Sequence, residues 1–195
     1  MKITLILTIL ALAGGELARA DEVTRWEIDP AHSSIEFTVR HMMVSKAKGS
    51  FGKFSGSATG DPKQPENASV EVSIDASSIN SQNPDRDKHL RSADFFDVEK
   101  HPQIRFKSKK ITEPAGGILQ ILGDLTMHGI TRELVLDVER FAPATRDGTA
   151  RFQVVAKAKV NRKHFDIVWN QMLDGGGVAV SEDVNVLLSI ELVRK

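Results

Sequence analysis

Hydrophobicity with a period of two is the feature that most constrains this chain. In "SSIEFTVRH" Ile35, Phe37, Val39 and His41 point one way, while Ser34, Glu36, Thr38 and Arg40 point the other. The pattern returns as Val70, Val72 and Ile74, as Ile104 and Phe106, and as Leu134, Leu136 and Val138. It returns again as Phe152, Val154, Ala156, Ala158 and Val160, and finally as Val184, Val186, Leu188, Ile190 and Leu192. Successive residues of a strand face opposite sides, so such runs read as antiparallel strands with one wetted face. Turn-forming clusters ("GDPKQPEN", "EPAGG", "MHGITR", "APATRDG", "DGGG") separate them, giving eight or so strands. Without alternating βαβ units a parallel sheet is not expected, and the strands must close into a barrel or stack as a sandwich.

One stretch, Ser78 to Val98, breaks the rhythm. Within it "SADFFDVEKHP" reads as a short helix, with Ser92 as N-cap and His101-Pro102 as its stop. Its adjacent phenylalanines, Phe95 and Phe96, cannot both face one core from a surface helix. Across an open barrel end, one ring is expected to plug the barrel while the other packs under the adjoining wall.

The first 20 residues read as a cleavable export signal. Lys2 precedes the apolar "ITLILTILALA", too short to span a bilayer comfortably, and "ARA" supplies the small-x-small cleavage pattern. The expected product is residues 21–195, a single exported, periplasmic domain with no stable membrane span after cleavage. Of the 26 basic and 26 acidic residues, the leader carries Lys2, Arg19 and Glu16, leaving 24 and 25. That balance gives no basic excess for nucleic acid. With no cysteine, disulfides and thiolate metal sites are excluded.

Catalytic and metal motifs are not expected either. Histidines 32, 41, 89, 101, 128 and 164 are scattered without H-x-H or H-E-x-x-H spacing, and no P-loop, G-x-G-x-x-G or G-x-S-x-G occurs. His41 keeps the inward parity of its strand, so it is either a rim group that fixes a ligand headgroup or a strand end satisfied locally. Phe51 and Phe54 lie three apart, and Gly52 between them is expected to mark a bulge that re-aims one ring.

Four ordered stretches carry a family resemblance: "WEIDPAHSSIEFTVRHMMVSKAKGSFGKFSG", "DKHLRSADFFDVEKHPQIRFKS", "GDLTMHGITRELVLDV" and "NRKHFDIVW…VSEDVNVLLSIEL". Together they resemble the YceI-like family along essentially all of 21–195. The resemblance implies an all-β fold, an extended antiparallel β-barrel of about eight strands, lipocalin-like, with a central tunnel and a short helix near one end. It further implies a non-catalytic protein holding a polyisoprenoid lipid or isoprenoid quinone, with no covalent cofactor and a possible homodimer.

On that reading Phe37, Val39, Phe51, Phe54, Phe106, Phe152 and Val154 line the tunnel, while His41, Asp87 and His89 meet the headgroup at its mouth. Asp87 and His89 lie in the family's D-x-H-L motif, and helix capping is their alternative use. Trp169 with the "DGGG" loop forms either a flap or packed core, and Met42 and Met43 either line the mouth or split between faces. Asp166 stands where the family often has Gly after Phe165, which puts the local loop shape in question. Two other readings stay open: a quinone-linked enzyme using His41 and Asp87, and a barrel filled by its own side chains.

Overall fold

A computed structural model of the 195-residue chain describes residues 24–41, 45–113, 118–172 and 178–195. Residues 1–20, Met42, Met43 and "DGGG" lie outside the described residues, as does the side chain of His41.

Eleven strands form one antiparallel sheet. They are β1 (Arg25–Ile28), β2 (Ser34–His41), β3 (Ser45–Phe51), β4 (Phe54–Thr59), β5 (Ser69–Asp75) and β6 (Ile79–Asn80). After them come β7 (Gln103–Thr112), β8 (Leu119–Met127), β9 (Ile130–Arg146), β10 (Thr149–Asn161) and β11 (Val180–Arg194). The order β1-β4-β5-β7-β8-β9-β10-β11 returns to β1, so eight staves close a barrel. The three remaining strands prolong staves across short breaks. β2 continues β1, β3 leads into β4, and β6 continues β5. The barrel expected from the alternation is therefore present, and closure leaves the ladder without a free edge along this circuit.

The first break has a clear chemical cause. Pro30 cannot donate to a ladder, and Asp29 caps the 3₁₀ turn Pro30–His32 by accepting the Ala31 N–H at 3.1 Å. At this turn β11 changes partner, pairing with β1 through Leu192–Arg194 and with β2 through Val180–Ser189. A polar knot on the outer wall fixes the change. The Asp29 N–H donates to the Glu191 carbonyl (2.8 Å), and the Glu191 N–H donates to Ser33 Oγ (2.9 Å). Arg151 Nη1 spans Asp29 Oδ2 (2.9 Å) and Glu191 Oε1, while His32 Nδ1 meets Asp29 Oδ2 at 2.9 Å.

Two one-residue bulges re-aim β9 and β7, and β11 also shifts register against β2 between Val180 and Val184. Glu139 is skipped where Val155 faces Arg140 and Ala156 faces Val138, and Lys109 is skipped between the Ser108 and Lys110 pairings. Each inserts one residue, so Val138 and Phe141 both turn inward although they lie three apart.

The helix lies earlier than the sequence implied. Helix α1 spans Pro84–Arg91, with Asn83 Oδ1 accepting the Arg86 N–H (3.0 Å), Pro84 in the first turn, and Asp85 and Asp87 at its positive end. Ser92 closes this helix rather than starting one, and Phe95 and Phe96 sit in the turns that follow.

The His32 and Arg151 hydrogen bonds lower the Asp29 pKa from 3.8 to about 2. A depressed folded-state pKa gives stability that is present above the unfolded value and lost as pH falls through the folded one. Urea unfolding midpoints should therefore fall between 3.8 and about 2. In Asp29→Asn the midpoint should be lower at neutral pH and less dependent on acid across that window.

Candidate functional site

The inward faces enclose an apolar interior of two lobes. One, of about 120 Å³, lies toward β1 and is walled by Trp26, Ile111, Ile121, Val138, Phe141, Phe152 and Val154. The other, of about 210 Å³, lies toward β2 and the helix and is walled by Ile35, Phe37, Val39, Phe51, Phe95, Phe96 and Met127. Val72, Phe106, Leu136, Leu188 and Ile190 border both, so the lobes meet at a waist at Phe106. A single water needs only about 10–15 Å³ of such space, and an apolar wall gives water few partners. The barrel's own side chains do not fill it.

Two glycines keep the bore open. The ring of Phe37 lies where a Cβ of Gly49, its cross-strand partner, would be. The ring of Phe106 covers Gly123 on β8 in the same way. Each ring lies flat on the neighbouring strand instead of crossing the lumen. Rings also set the ends of the interior. Trp26 and Phe152 meet edge to face at 5.1 Å and Phe141 stacks on Phe152 at 4.8 Å, while Phe51 meets Phe96 edge to face at 5.9 Å.

Six of the expected tunnel residues line the lobes: Phe37, Val39, Phe51, Phe106, Phe152 and Val154. Phe54 does not; it is half-buried and packs against the core from β4. The Gly52–Lys53 break re-aims that ring.

Asp87 lines neither lobe. It is buried within α1, where Oδ1 accepts the Ser81 N–H at 2.7 Å. His89 also stays outside the lining, with Nε2 against Asp94 Oδ2 at 2.8 Å and its ring edge-on to Phe95 and Trp169. Trp169 backs Phe95 at 5.2 Å, so it supports the wall without facing the cavity. These three positions build the barrel's end cap. For His41 only the backbone is described, paired with Val180 and Ser45 at the end of β2.

Phe95 and Phe96 both reach the same lobe, which corrects the expected division of labour. Phe95 is 7% exposed and Phe96 half-buried, and both line the wider lobe. A run of turns lets adjacent side chains converge where a helix would separate them. Arg86 and Arg91 anchor the cap: Arg86 bonds Ser81 Oγ and carbonyl, and Arg91 bonds the Ser77 and Ile79 carbonyls at 2.7 Å.

One charge lies at this end of the interior and went unnoticed in the sequence. Arg162 is 4% exposed and borders the wider lobe. Its guanidinium donates to the carbonyls of Ser181 (3.0 Å), Ile167 (2.7 Å), Trp169 (2.8 Å) and Val180 (3.4 Å). Burial draws its pKa down, with Glu182 opposing the shift. Planar forked donors reach several carbonyls at once, which an ammonium cannot copy. Asp166 follows with φ 59° and keeps the tight left-handed turn, its N–H bonding the Arg162 and Lys163 carbonyls. Aspartate is among the few residues that accept this conformation in place of glycine.

The YceI-like domain family matches residues 26–192. A UPF0312 protein of Staphylococcus aureus is 39% identical over 171 residues, covering 87% of this chain and 97% of the relative. Among solved structures, the Campylobacter jejuni YceI protein superposes with a TM-score of 0.66 at 26% identity, over 80% of this chain and 90% of that one. A polyisoprenoid-binding domain from Saccharophagus degradans, implicated in plant cell wall breakdown, shares the fold with a TM-score of 0.64 at 14% identity, over 87% and 98%.

Removing the guanidinium should strand several carbonyls. Arg162→Met is expected to cost on the order of 3 kcal/mol in denaturant unfolding, and Arg162→Lys should recover only part of it. Phe95→Ala should cost about 3 kcal/mol, as truncation of a buried aromatic usually does.

Proposed function

The chain belongs to the YceI-like domain family, and from that premise we propose that it holds a slender polyisoprenoid chain, such as a polyprenyl lipid or the tail of an isoprenoid quinone. The observation that carries this reading is the apolar interior: two adjacent lobes that share Phe106 in their walls, lined by aliphatic and aromatic side chains from every stave. An eight-stranded barrel has room for one narrow guest. Burial of hydrocarbon contributes about 0.8 kcal/mol per methylene-sized group, partly offset by ordering of the tail. A long tail therefore binds without directional polar contacts, and the lack of a polar cluster along the bore is what such a guest requires.

The name of the Saccharophagus degradans domain supports the same ligand class, because that protein shares this fold. The leader-like segment at 1–20 supports export to the periplasm, where a water-insoluble chain crossing an aqueous space needs shielding. The protein acts in this reading as a carrier or store, and binding and release involve no bond-making step.

Lipids extracted from purified full-length protein and identified by mass spectrometry should include a polyprenyl species. Delipidated protein should take up added polyprenyl quinone. A barrel that is reproducibly empty and rejects the quinone would overturn the reading. Phe37→Asp, placed in the wall of the wider lobe, should cut uptake while circular dichroism stays barrel-like. Unchanged uptake by that folded variant would remove this wall from the binding surface.

A further inference from the structure

A cluster outside the apolar lobes has a different chemistry. Asp97, His101 and His128 each offer one ligand atom, and the three atoms lie within 4.8 Å of one another. Asp97 and His101 are brought together locally, because the Asp97 carbonyl accepts the His101 N–H at 2.8 Å and closes one helical turn. His128 comes from the β8–β9 turn, and its ring centroid lies 4.9 Å from that of His101.

Two further observations favour a metal ion over a chance meeting of side chains. His128 Nδ1 contacts the Phe165 carbonyl at 3.0 Å. A carbonyl only accepts, so Nδ1 carries the proton and Nε2 keeps its lone pair for a ligand. Metal-bound histidines are typically oriented by such a bond from the second ring nitrogen. Gly129, at φ 74°, leaves the place of its Cβ to the His101 ring, whose Cε1 would lie 2.7 Å from it. Asp97 pairs with a single lysine, Lys100. Lys100 reaches only Oδ2, at 2.8 Å, and is 73% exposed, so it can withdraw into solvent.

Among the described residues, the other comparable group, Asp29, His32 and Glu191, is already occupied by Arg151, whose cation bridges both carboxylates. No such cation spans the Asp97 cluster. Ligand atoms on a tetrahedral zinc ion stand about 3.4 Å apart, from bonds of about 2.0–2.1 Å. The three ligand atoms lie within 4.8 Å of one another, so the approach still needed is about 1.4 Å at most.

We propose that Asp97, His101 and His128 bind a divalent transition-metal ion of the zinc class and so fasten the end cap of the barrel to the β8–β9 turn. Two imidazoles and one carboxylate suit such ions and disfavour calcium and magnesium, which prefer an all-oxygen shell. Three protein ligands leave a fourth position for solvent. The ion would tie the segment carrying Phe95 and Phe96 to the turn after Met127, fixing one wall of the wider lobe from outside. This site stands whether or not the barrel holds a lipid.

The test uses untagged full-length protein, stripped with a chelator and titrated with Zn²⁺ alone by calorimetry. One equivalent should bind, with a rise in Tm. His101→Ala and His128→Asn should each weaken binding at least about tenfold; asparagine is chosen at 128 because φ there is 52°. Lys100→Met, which removes the competing cation from an exposed position, should tighten binding, and His164→Ala, at an exposed position remote in sequence from the cluster, should leave it unchanged. The proposal is overturned if wild-type protein shows no saturable uptake at submillimolar Zn²⁺. It also fails if the folded His101→Ala/His128→Asn double variant binds as wild type does, or if Lys100→Met has no effect.

Discussion

Asp29 and Glu191 are bonded to each other's neighbourhood through both backbone and side chain, at the place where β11 passes from β1 to β2. Everything enclosed by the barrel depends on this transfer. A single unbroken first stave would have to follow β11 for its whole length of 15 residues. Splitting it at Pro30 lets β1 and β2 meet β11 at different angles, and the Arg151 bridge holds the corner against the outer wall. A charge pair with one partner as buried as Glu191 is costly unless fully matched. Here Arg151 and Arg146 supply the countercharge, one to each carboxylate oxygen, although Arg151 Nε and Arg146 Nη1 are buried without a partner among the described residues.

With the wall closed, the interior follows from how large side chains are laid against it. A ring that crosses a narrow lumen fills it, and a ring that lies on a neighbouring glycine does not. Phe37 on Gly49 and Phe106 on Gly123 take the second course. The cap applies the opposite logic, turning Phe95 and Phe96 inward together across the end of the wider lobe and bracing them with Trp169 and His89. The barrel thus has an apolar interior with one polar, well-anchored end, where Arg162 ties β11 to the turns around it.

The strands were legible because strict alternation is an unambiguous signal. Ile35, Phe37 and Val39 face inward as their parity requires, as do Val184 to Ile190. The bulges were not legible, since one extra residue at Glu139 or Lys109 leaves no mark on composition. Simple alternation past Val138 would face Arg140 inward, whereas the bulge turns Phe141 in. The helix was misplaced because "PDRDKHLR" has almost no apolar periodicity. Asn83-Pro84 and the acidic first turn were the available signal, and Ser92 with Asp94 offered a competing one. Asp87 and His89 stand out as a motif, yet their partners, Ser81 and Asp94, are visible only once the chain has folded back. The Asp97–His101–His128 cluster was half legible: the first pair is one helical turn apart, but His128 arrives through sheet register alone.

Closure between β1 and β11 pairs Trp26 with Arg194, nearly the two ends of the described chain. Such a contact has close to the largest sequence separation the chain permits, and loop-closure entropy makes it a late event in folding. Until it forms, the chain is an open, curved sheet with its apolar face uncovered. A guest that meets that sheet can be wrapped from the side, as a page is rolled around a rod. One that arrives after closure must thread through an end. For the proposed guest, loading during folding and loading afterwards would thus be distinct kinetic routes, set by which strand is last.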